Sequence, residues 1–250
     1  MPLRPRRALA LAASLAASLA AFLAAFLAAA AFAPARAEGR PVVVELFTSQ
    51  GCSSCPPAEA VLGALAGRAD ILPLGFHVTY WDRLGWRDPF SFEGATRRQS
   101  DYAAHLGAGT FTPQLVVDGR ESVIGSRGGE VAEAIRRAAQ GTGDAAPVAL
   151  TRAGEGVAIR VGARTGAGSG GARVLLVGFD RQHRTEIRRG ENGGRSLVQA
   201  NVVRSIRDLG PWTGAALAFT EAAPAGADAA VLLQEPNGRI VGAARLGDPS

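Results

Sequence analysis

Only two residues in this 250-residue chain can form a disulfide, Cys52 and Cys55, and two serines separate them. An apolar run, Val42–Thr48, precedes the pair, and a segment with helical character, residues 58–66, follows it. A strand that turns into a helix through Cys-x-x-Cys is typical of a dithiol–disulfide redox site. Closing so short a loop removes little entropy from the unfolded chain, about 2 kcal/mol at best. The pair is therefore predicted to do chemistry rather than to staple the fold.

The two cysteines are predicted to have different roles. Cys52 is expected to be the exposed nucleophile, because the free amides and the dipole of the following helix stabilise a thiolate there. Cys55, more buried, is expected to attack the mixed disulfide. Glu45 is the one carboxylate in the preceding apolar run, where burial is costly unless the charge is paired. It is either a proton acceptor for Cys55 or a structural partner of an arginine or a backbone amide.

The loop that follows the second apolar run carries side chains suited to binding a peptide. Three aromatic residues could form the floor of a groove and two arginines could hold a carboxylate: Tyr80, Trp81, Trp86, Arg83 and Arg87. The alternative is a loop packed on its own aromatic rings, in which its two aspartates pair with the arginines.

The elements that must position these residues follow from apolar periodicity. The first half of the chain predicts the order β-α-β-α-β-β-α, with an Asp-Gly turn in the last hairpin. The segments are 42–48, 54–67, 71–78, 92–106, 114–117, 121–124 and 127–140. Parallel strands joined by a crossover helix have their carboxyl ends at one edge of the sheet. Cys52, the loop at 80–89 and Thr112-Pro113 are therefore expected to meet at that edge.

Three segments carry a resemblance to known proteins: residues 44–57, 80–89 and 112–119. The first half resembles thioredoxin-superfamily proteins, and residues 112–119 are similar to the segment that carries the cis-proline in glutaredoxins. The chain after the leader resembles a family of secreted bacterial proteins, domain of unknown function 1223. The resemblance implies a thioredoxin-like fold but no reaction. It also implies a cis bond before Pro113, which would let the Thr112 backbone pair with an extended substrate, whereas the alternative is a trans turn.

The second half of the chain is predicted to be β-rich and sandwich-like, because it offers six short apolar runs separated by turn residues. A turn-rich segment, residues 141–147, is the best internal boundary. The predicted organisation is a leader at 1–37, a thioredoxin-like domain at 38–143 and a β-rich domain at 144–250.

The first 37 residues have the character of an export signal. Arginines precede an uncharged apolar stretch, Ala8–Ala33, and small residues at Ala35 and Ala37 favour cleavage before Glu38. An uncleaved membrane anchor is the alternative, since the stretch is long enough to span a bilayer. Export predicts a periplasmic or secreted protein, whose cysteines meet oxidising conditions.

Charge gives no reason to expect binding to nucleic acid. The net charge of +5 includes four arginines of the leader, which has no acidic residue, so the rest of the chain carries +1. A group of arginines in the second half is either a solvated face or a weak contact for an anionic surface: Arg181, Arg184, Arg188 and Arg189.

Metal binding is the rival use of the cysteine pair. His77 could add a third ligand and Asp82 or His105 a fourth, but structural zinc sites often use two Cys pairs and this chain has one. No cofactor is indicated. The sequence thus predicts an exported thiol–disulfide oxidoreductase that acts on protein or small-molecule thiols with the help of a redox partner. A non-catalytic binding module with an inert disulfide is the alternative of another class.

Overall fold

The structure is a computed structural model that describes residues 40–141, 145–164 and 171–247. The predicted leader and the centre of the predicted domain boundary, residues 142–144, lie outside these ranges. None of the described helices is long and apolar enough to cross a membrane.

The described residues form a mixed α/β structure in which strands predominate. The elements are β1 (Val42–Thr48), α1 (Pro56–Leu65), β2 (Ile71–His77), α2 (Glu93–Leu106), β3 (Gln114–Val117), β4 (Glu121–Ile124), α3 (Gly128–Ala139), β5 (Val148–Ala153), β6 (Gly156–Val161), β7 (Ala172–Glu186), β8 (Ser196–Trp212), β9 (Leu217–Ala222), β10 (Asp228–Gln234) and β11 (Ile240–Arg245).

Eight of the strands form one sheet in the order β11-β10-β7-β8-β2-β1-β3-β4. β1 pairs with β2 in parallel through the crossover helix α1, and with β3 in antiparallel orientation. The β3–β4 hairpin turns at Asp118 and Gly119, which both have positive φ (49° and 65°), as a type I′ turn requires. The carboxyl ends of β1 and β2 and the start of β3 therefore lie at one edge of the sheet.

The helices cover both faces of β1, which explains why its sequence is almost continuously apolar. Val43 and Phe47 belong to the core on the side of α2, while Val44 and Leu46 belong to the core on the side of α1 and α3. Successive side chains of a strand point to opposite faces, so each position of β1 is committed to one of these two cores.

The second half of the chain is β-rich, as predicted, and its strands extend the sheet of the first half. β8 lies beside β2 in parallel orientation with one bridging pair, Gly75 and Val202. The side-chain amide of Asn201 donates to the carbonyl of Pro73 at 2.7 Å across this seam. The small sheet β5-β6-β9 packs on the outer strands around Trp212.

Two features of the second half differ from the sequence prediction. The sequence does not predict β5, and β7 and β8 continue well beyond the apolar runs at 174–179 and 197–203 that predict them. The extension of β7 is exposed or half-buried from Asp180 to Glu186, so it lacks the apolar signal of a buried strand. It leads to the connecting loop, residues 187–195, which returns to the cysteine pair. The extension of β8 lies at the opposite end of that strand, at residues 204–212.

Candidate functional site

Cys52 and Cys55 form a disulfide in the turn between β1 and α1. Their Cα atoms are 5.4 Å apart, within the usual range for a disulfide. Cys55 is the N-cap residue of α1, and its carbonyl accepts hydrogen bonds from the amides of Ala58 and Glu59. The pair is thus fixed at the positive end of a helix, as the sequence predicts.

Both cysteines are buried: Cys52 is 0% exposed and Cys55 1% exposed. The sequence predicts an exposed Cys52, and this expectation is corrected by the structure. A distant segment, residues 187–195, is hydrogen-bonded to the main chain of the cysteine turn, and we call it the covering loop. It lies more than 130 residues away in the chain, so the local pattern around the cysteines does not reveal it.

Asn192 anchors the covering loop to the cysteine turn. Its side-chain amide is completely buried and donates to the carbonyls of Gln50 (3.0 Å) and Cys52 (2.9 Å). Next to it, the carboxylate of Glu191 accepts a hydrogen bond from the amide of Ser53 at 3.1 Å. The covering loop thus binds the main chain on both sides of the first cysteine.

The sulfur of Cys52 has polar neighbours from two other segments. The hydroxyl of Thr112 donates to this sulfur at 3.4 Å, and the same hydroxyl accepts a hydrogen bond from the indole N–H of Trp81 at 2.8 Å. The indole occupies an acceptor position of the hydroxyl and leaves its proton available for the sulfur. The hydroxyl of Ser54 lies 3.3 Å from the sulfur as well. The Thr112–Pro113 peptide bond is cis.

The aromatic loop contributes to the site in two ways. Trp86 donates its indole N–H to the side chain of Gln50 at 2.9 Å, which ties the loop to the cysteine turn. Tyr80, Arg83 and Arg87 line an open cavity of about 740 Å³. Neither arginine pairs with the aspartates of the loop: Asp82 accepts from the hydroxyl of Ser91 and from the amide of Asp88, and Asp88 accepts from His77.

Glu45 lies on the opposite face of the sheet from α1. Its carboxylate, 0% exposed, forms an ion pair with Arg98 of α2 through Oε1 and Nε at 2.5 Å, and it also accepts a hydrogen bond from Tyr102. Burial by itself would lower the pKa of Arg98, but the charge of Glu45 and the hydrogen bond to it raise that pKa overall. Of the two interpretations that the sequence left open for Glu45, the structure contains the arginine partner.

A different carboxylate, Glu59, lies on the same side of the sheet as the disulfide. It follows Cys55 by four residues, which places both residues on the same side of α1, and its amide donates to the carbonyl of Cys55 at 3.1 Å. Its Oε1 accepts a hydrogen bond from Thr48 at 2.7 Å, whereas its Oε2 is buried with no partner among the described residues. Burial raises the pKa of Glu59.

His77 and Asp88 complete a buried cluster with Glu59. Nδ1 of His77 lies 2.6 Å from a carboxylate oxygen of Asp88, and Nε2 is buried without a partner among the residues that the structure describes. Burial by itself would lower the pKa of His77, but the charge of Asp88 and the hydrogen bond to it raise the pKa overall. His77 is paired with Thr48 in the β1–β2 register, which places it on the face of α1.

Sequence analysis missed Glu59 because a carboxylate on a helix is usually solvent-exposed. The signal that could have found it is its spacing. It stands four residues after Cys55 and three before Leu62, on the stripe of α1 that must face the core.

The other residues that the sequence suggested for binding a metal ion or an anionic surface lie apart from one another. The described part of the chain has no free cysteine and no group of three His, Cys, Asp or Glu side chains arranged to hold a metal ion. His105 lines another cavity, beside Gly238. Arg181 pairs with Asp228, and Arg184 donates to the hydroxyl of Ser196.

A family model, described as a protein of unknown function (DUF1223), matches residues 43–234. The chain belongs to the DUF1223 family. A crystal structure of a structural-genomics target from Agrobacterium tumefaciens is similar to it: 33% identical, with 85% of this chain and 97% of that chain covered and a TM-score of 0.73. No match was found among curated proteins.

A second solved structure, HBP35 of Porphyromonas gingivalis, is 14% identical, with 83% of this chain and 74% of that chain covered and a TM-score of 0.58. At this identity the likeness concerns the fold alone. The family description supplies no reaction for this chain.

Proposed function

We propose that this DUF1223 protein is an exported thiol–disulfide oxidoreductase that works through Cys52 and Cys55. The observation that carries the proposal is the setting of the disulfide. It lies at the N-terminus of α1, and the hydroxyl of Thr112 donates to the sulfur of Cys52 next to a cis-proline. A helix N-terminus and a hydroxyl donor both favour negative charge on that sulfur, as a thiolate nucleophile or leaving group requires.

The arrangement of the first half supports a thioredoxin-like fold. The order β1-α1-β2-α2-β3-β4-α3 is that of the minimal thioredoxin topology, and the four strands lie in the order β2-β1-β3-β4. In this arrangement Pro113 and Thr112 present their backbone beside the disulfide, where an extended substrate could add as a strand. Trp81 and Trp86 would border it, and Tyr80 would contact it from the neighbouring cavity.

The exchange itself needs no reagent beyond a thiol. A substrate thiolate attacks the sulfur of Cys52, the Cys52–Cys55 bond breaks, and Cys55 leaves as a thiolate. A second substrate thiolate then attacks the substrate sulfur of the mixed disulfide, the bond from that sulfur to Cys52 breaks, and Cys52 leaves as a thiolate. The substrate is thereby oxidised by two electrons to a disulfide, and the protein is reduced to its dithiol form. Run backward, the same steps reduce a substrate disulfide, and a redox partner restores the starting state.

Glu59 is the group best placed to manage the proton of Cys55. Its raised pKa lets it hold a proton that it gives to the leaving thiolate, and the same carboxylate takes that proton back when Cys55 attacks. Glu45 is held by Arg98 on the other face and has no such role in this account.

We include export in the proposal because residues 1–37 have the pattern of an export signal: arginines, an uncharged apolar stretch, and small residues at Ala35 and Ala37. In the periplasm or outside the cell, a disulfide such as this one would meet exported proteins as substrates.

Burial of both sulfurs favours a second candidate function, a binding module with an inert disulfide. A substrate thiol can reach Cys52 only if the covering loop moves. An inert pair would stay closed in the native state.

The test is a redox equilibrium of the native protein without its leader. The protein is held in graded glutathione buffers, trapped by alkylation and weighed. We expect rapid exchange with a definite midpoint: about −120 to −180 mV would indicate an oxidant or isomerase, and about −270 mV a reductant. Absence of exchange in the folded protein would reject the oxidoreductase and leave the binding module.

A further inference from the structure

Four exposed arginines near the disulfide have no partner. Arg83 and Arg87 belong to the aromatic loop, and Arg188 and Arg189 belong to the covering loop. Within the described residues the structure gives none of the four a hydrogen bond or an ion pair. We call these four residues the arginine rim.

The two loops that carry the arginine rim touch each other. A Cβ added at Gly85 would lie 3.3 Å from the Cα of Gly190, and one added at Gly190 would lie 3.0 Å from the Cβ of Trp86. Both glycines have positive φ, 97° and 79°. Every arginine of the rim is within two residues of one of these glycines, so the contact brings the backbones that carry the four arginines close together.

The same two loops hold the cysteine turn. The aromatic loop bonds to it through Trp86 and Gln50, and the covering loop bonds to it through Asn192 and the carbonyl of Cys52. The arginine rim therefore borders the disulfide on the side where the covering loop closes over it.

The carboxylates of these loops are already engaged. Asp82 is bonded to Ser91, Asp88 to His77, and Glu191 to the amide of Ser53. Residues 82–90 and 187–195 together carry five arginines against three carboxylates, so a net positive charge remains. A guanidinium without a partner offers planar donors that match a carboxylate.

We propose that the arginine rim binds acidic side chains that flank the reactive cysteines of a protein substrate. This inference rests on the proposed function and names its substrate class: acidic polypeptide segments that carry thiols or disulfides. Opposite charge raises the rate of encounter and orients the segment before the thiolate of the substrate attacks Cys52.

The test uses two peptides that each carry two cysteines and differ only in their flanking residues, glutamates in one and lysines in the other. Oxidation of each peptide by the disulfide form of the protein is followed by acid quenching and chromatography. We expect the acidic peptide to react about tenfold faster at low ionic strength, and we expect the ratio to shrink in salt.

Arginine variants test whether the arginine rim causes the preference for the acidic peptide. Replacing the rim (R83Q, R87Q, R188Q and R189Q together, or in two pairs) should abolish the preference while the basic peptide still reacts. The matched control, R152Q with R160Q, removes two exposed arginines from β5 and β6 and should keep it.

The outcomes separate the two proposals. Equal rates for both peptides with the wild-type protein would overturn the rim as a substrate contact and leave the oxidoreductase intact. The proposed function itself is rejected if the disulfide form of the protein oxidises neither peptide and the dithiol form reduces the disulfide form of neither peptide. Equal peptide rates together with rim-dependent binding to vesicles of anionic lipid would overturn the proposal in favour of a membrane contact.

Discussion

A buried glutamate lies on each side of β1, and the two carboxylates differ in how completely they are paired. On the side of α2, Glu45 is matched by the guanidinium of Arg98 and the hydroxyl of Tyr102. On the side of α1, Glu59 has one hydrogen bond, from Thr48, and one buried oxygen without a partner among the described residues. A buried charge with complete pairing is fixed in place. A buried carboxyl with incomplete pairing is free to exchange a proton.

The position of the disulfide gives this contrast its chemical meaning. Cys55 is the N-cap residue of α1, so of the two glutamates only Glu59 lies on the same side of the sheet as this cysteine. The substitutions proposed next change the side chains on one side of β1 at a time.

The largest effect is expected from Glu45→Gln. This change leaves the buried charge of Arg98 unpaired and should lower the free energy of unfolding by about 3–5 kcal/mol. Urea denaturation measures it. Adding Arg98→Met should restore part of the loss, because both charges are then gone. A decrease of less than about 1 kcal/mol in the free energy of unfolding of the single variant would show that the ion pair contributes little to stability.

A smaller effect is expected from Asn192→Ala, which acts on the face of α1. This change removes the two hydrogen bonds to the cysteine turn and the one that Asn192 accepts from Arg195, so it should cost about 1–3 kcal/mol. It should also speed reduction of the disulfide by dithiothreitol, because the closed state is less favoured. The control is Asn237→Ala, in an exposed turn. An unchanged reduction rate would mean that the loop does not limit access to Cys52.

The smallest effect is a dependence of stability on pH. Because the pKa of Glu59 is raised on folding, the folded protein keeps a proton that the unfolded chain releases above pH 4.5. Its contribution to stability is complete below pH 4.5 and is lost as the pH rises through the raised pKa. His77 acts in the same direction above pH 6.5. Asp88, whose pKa is lowered, contributes above pH 3.8 and loses its contribution in more acidic solution.

Urea denaturation of the oxidised protein at several pH values checks this dependence. Glu59→Gln should flatten the fall in stability above pH 4.5, whereas Glu155→Gln, an exposed carboxylate between β5 and β6, should leave it as in the wild type. Identical slopes for the wild type and Glu59→Gln would show that the carboxyl is not perturbed.

Local patterns predicted the first half of the fold well. The strand before Cys52, the helix after it and the hairpin at Asp118 depend on apolar period and turn chemistry, which are local properties. The meeting of Cys52 with Thr112 followed from topology, since parallel strands end at the same edge of a sheet.

What sequence analysis could not predict depends on contacts between distant residues. Which face of β1 receives Glu45 is decided by α2, which supplies Arg98. The hydrogen bond to the carbonyl of Cys52 comes from Asn192, 140 residues later in the chain, in the loop that follows the polar end of β7. The sequence around Glu45 does not indicate Arg98, and the sequence around Cys52 does not indicate Asn192.

The most direct test measures how the rate of disulfide reduction by dithiothreitol depends on pH, in the wild type and in Glu59→Gln. Each rate is divided by the fraction of dithiothreitol that is present as thiolate, which corrects for the titration of the reagent. If Glu59 gives its proton to the leaving Cys55, the corrected rate of the wild type should fall as the pH rises through the raised pKa of that carboxyl. Glu59→Gln should lose this dependence and react about a hundredfold more slowly at the acidic end. The same profile in both proteins would contradict the central claim.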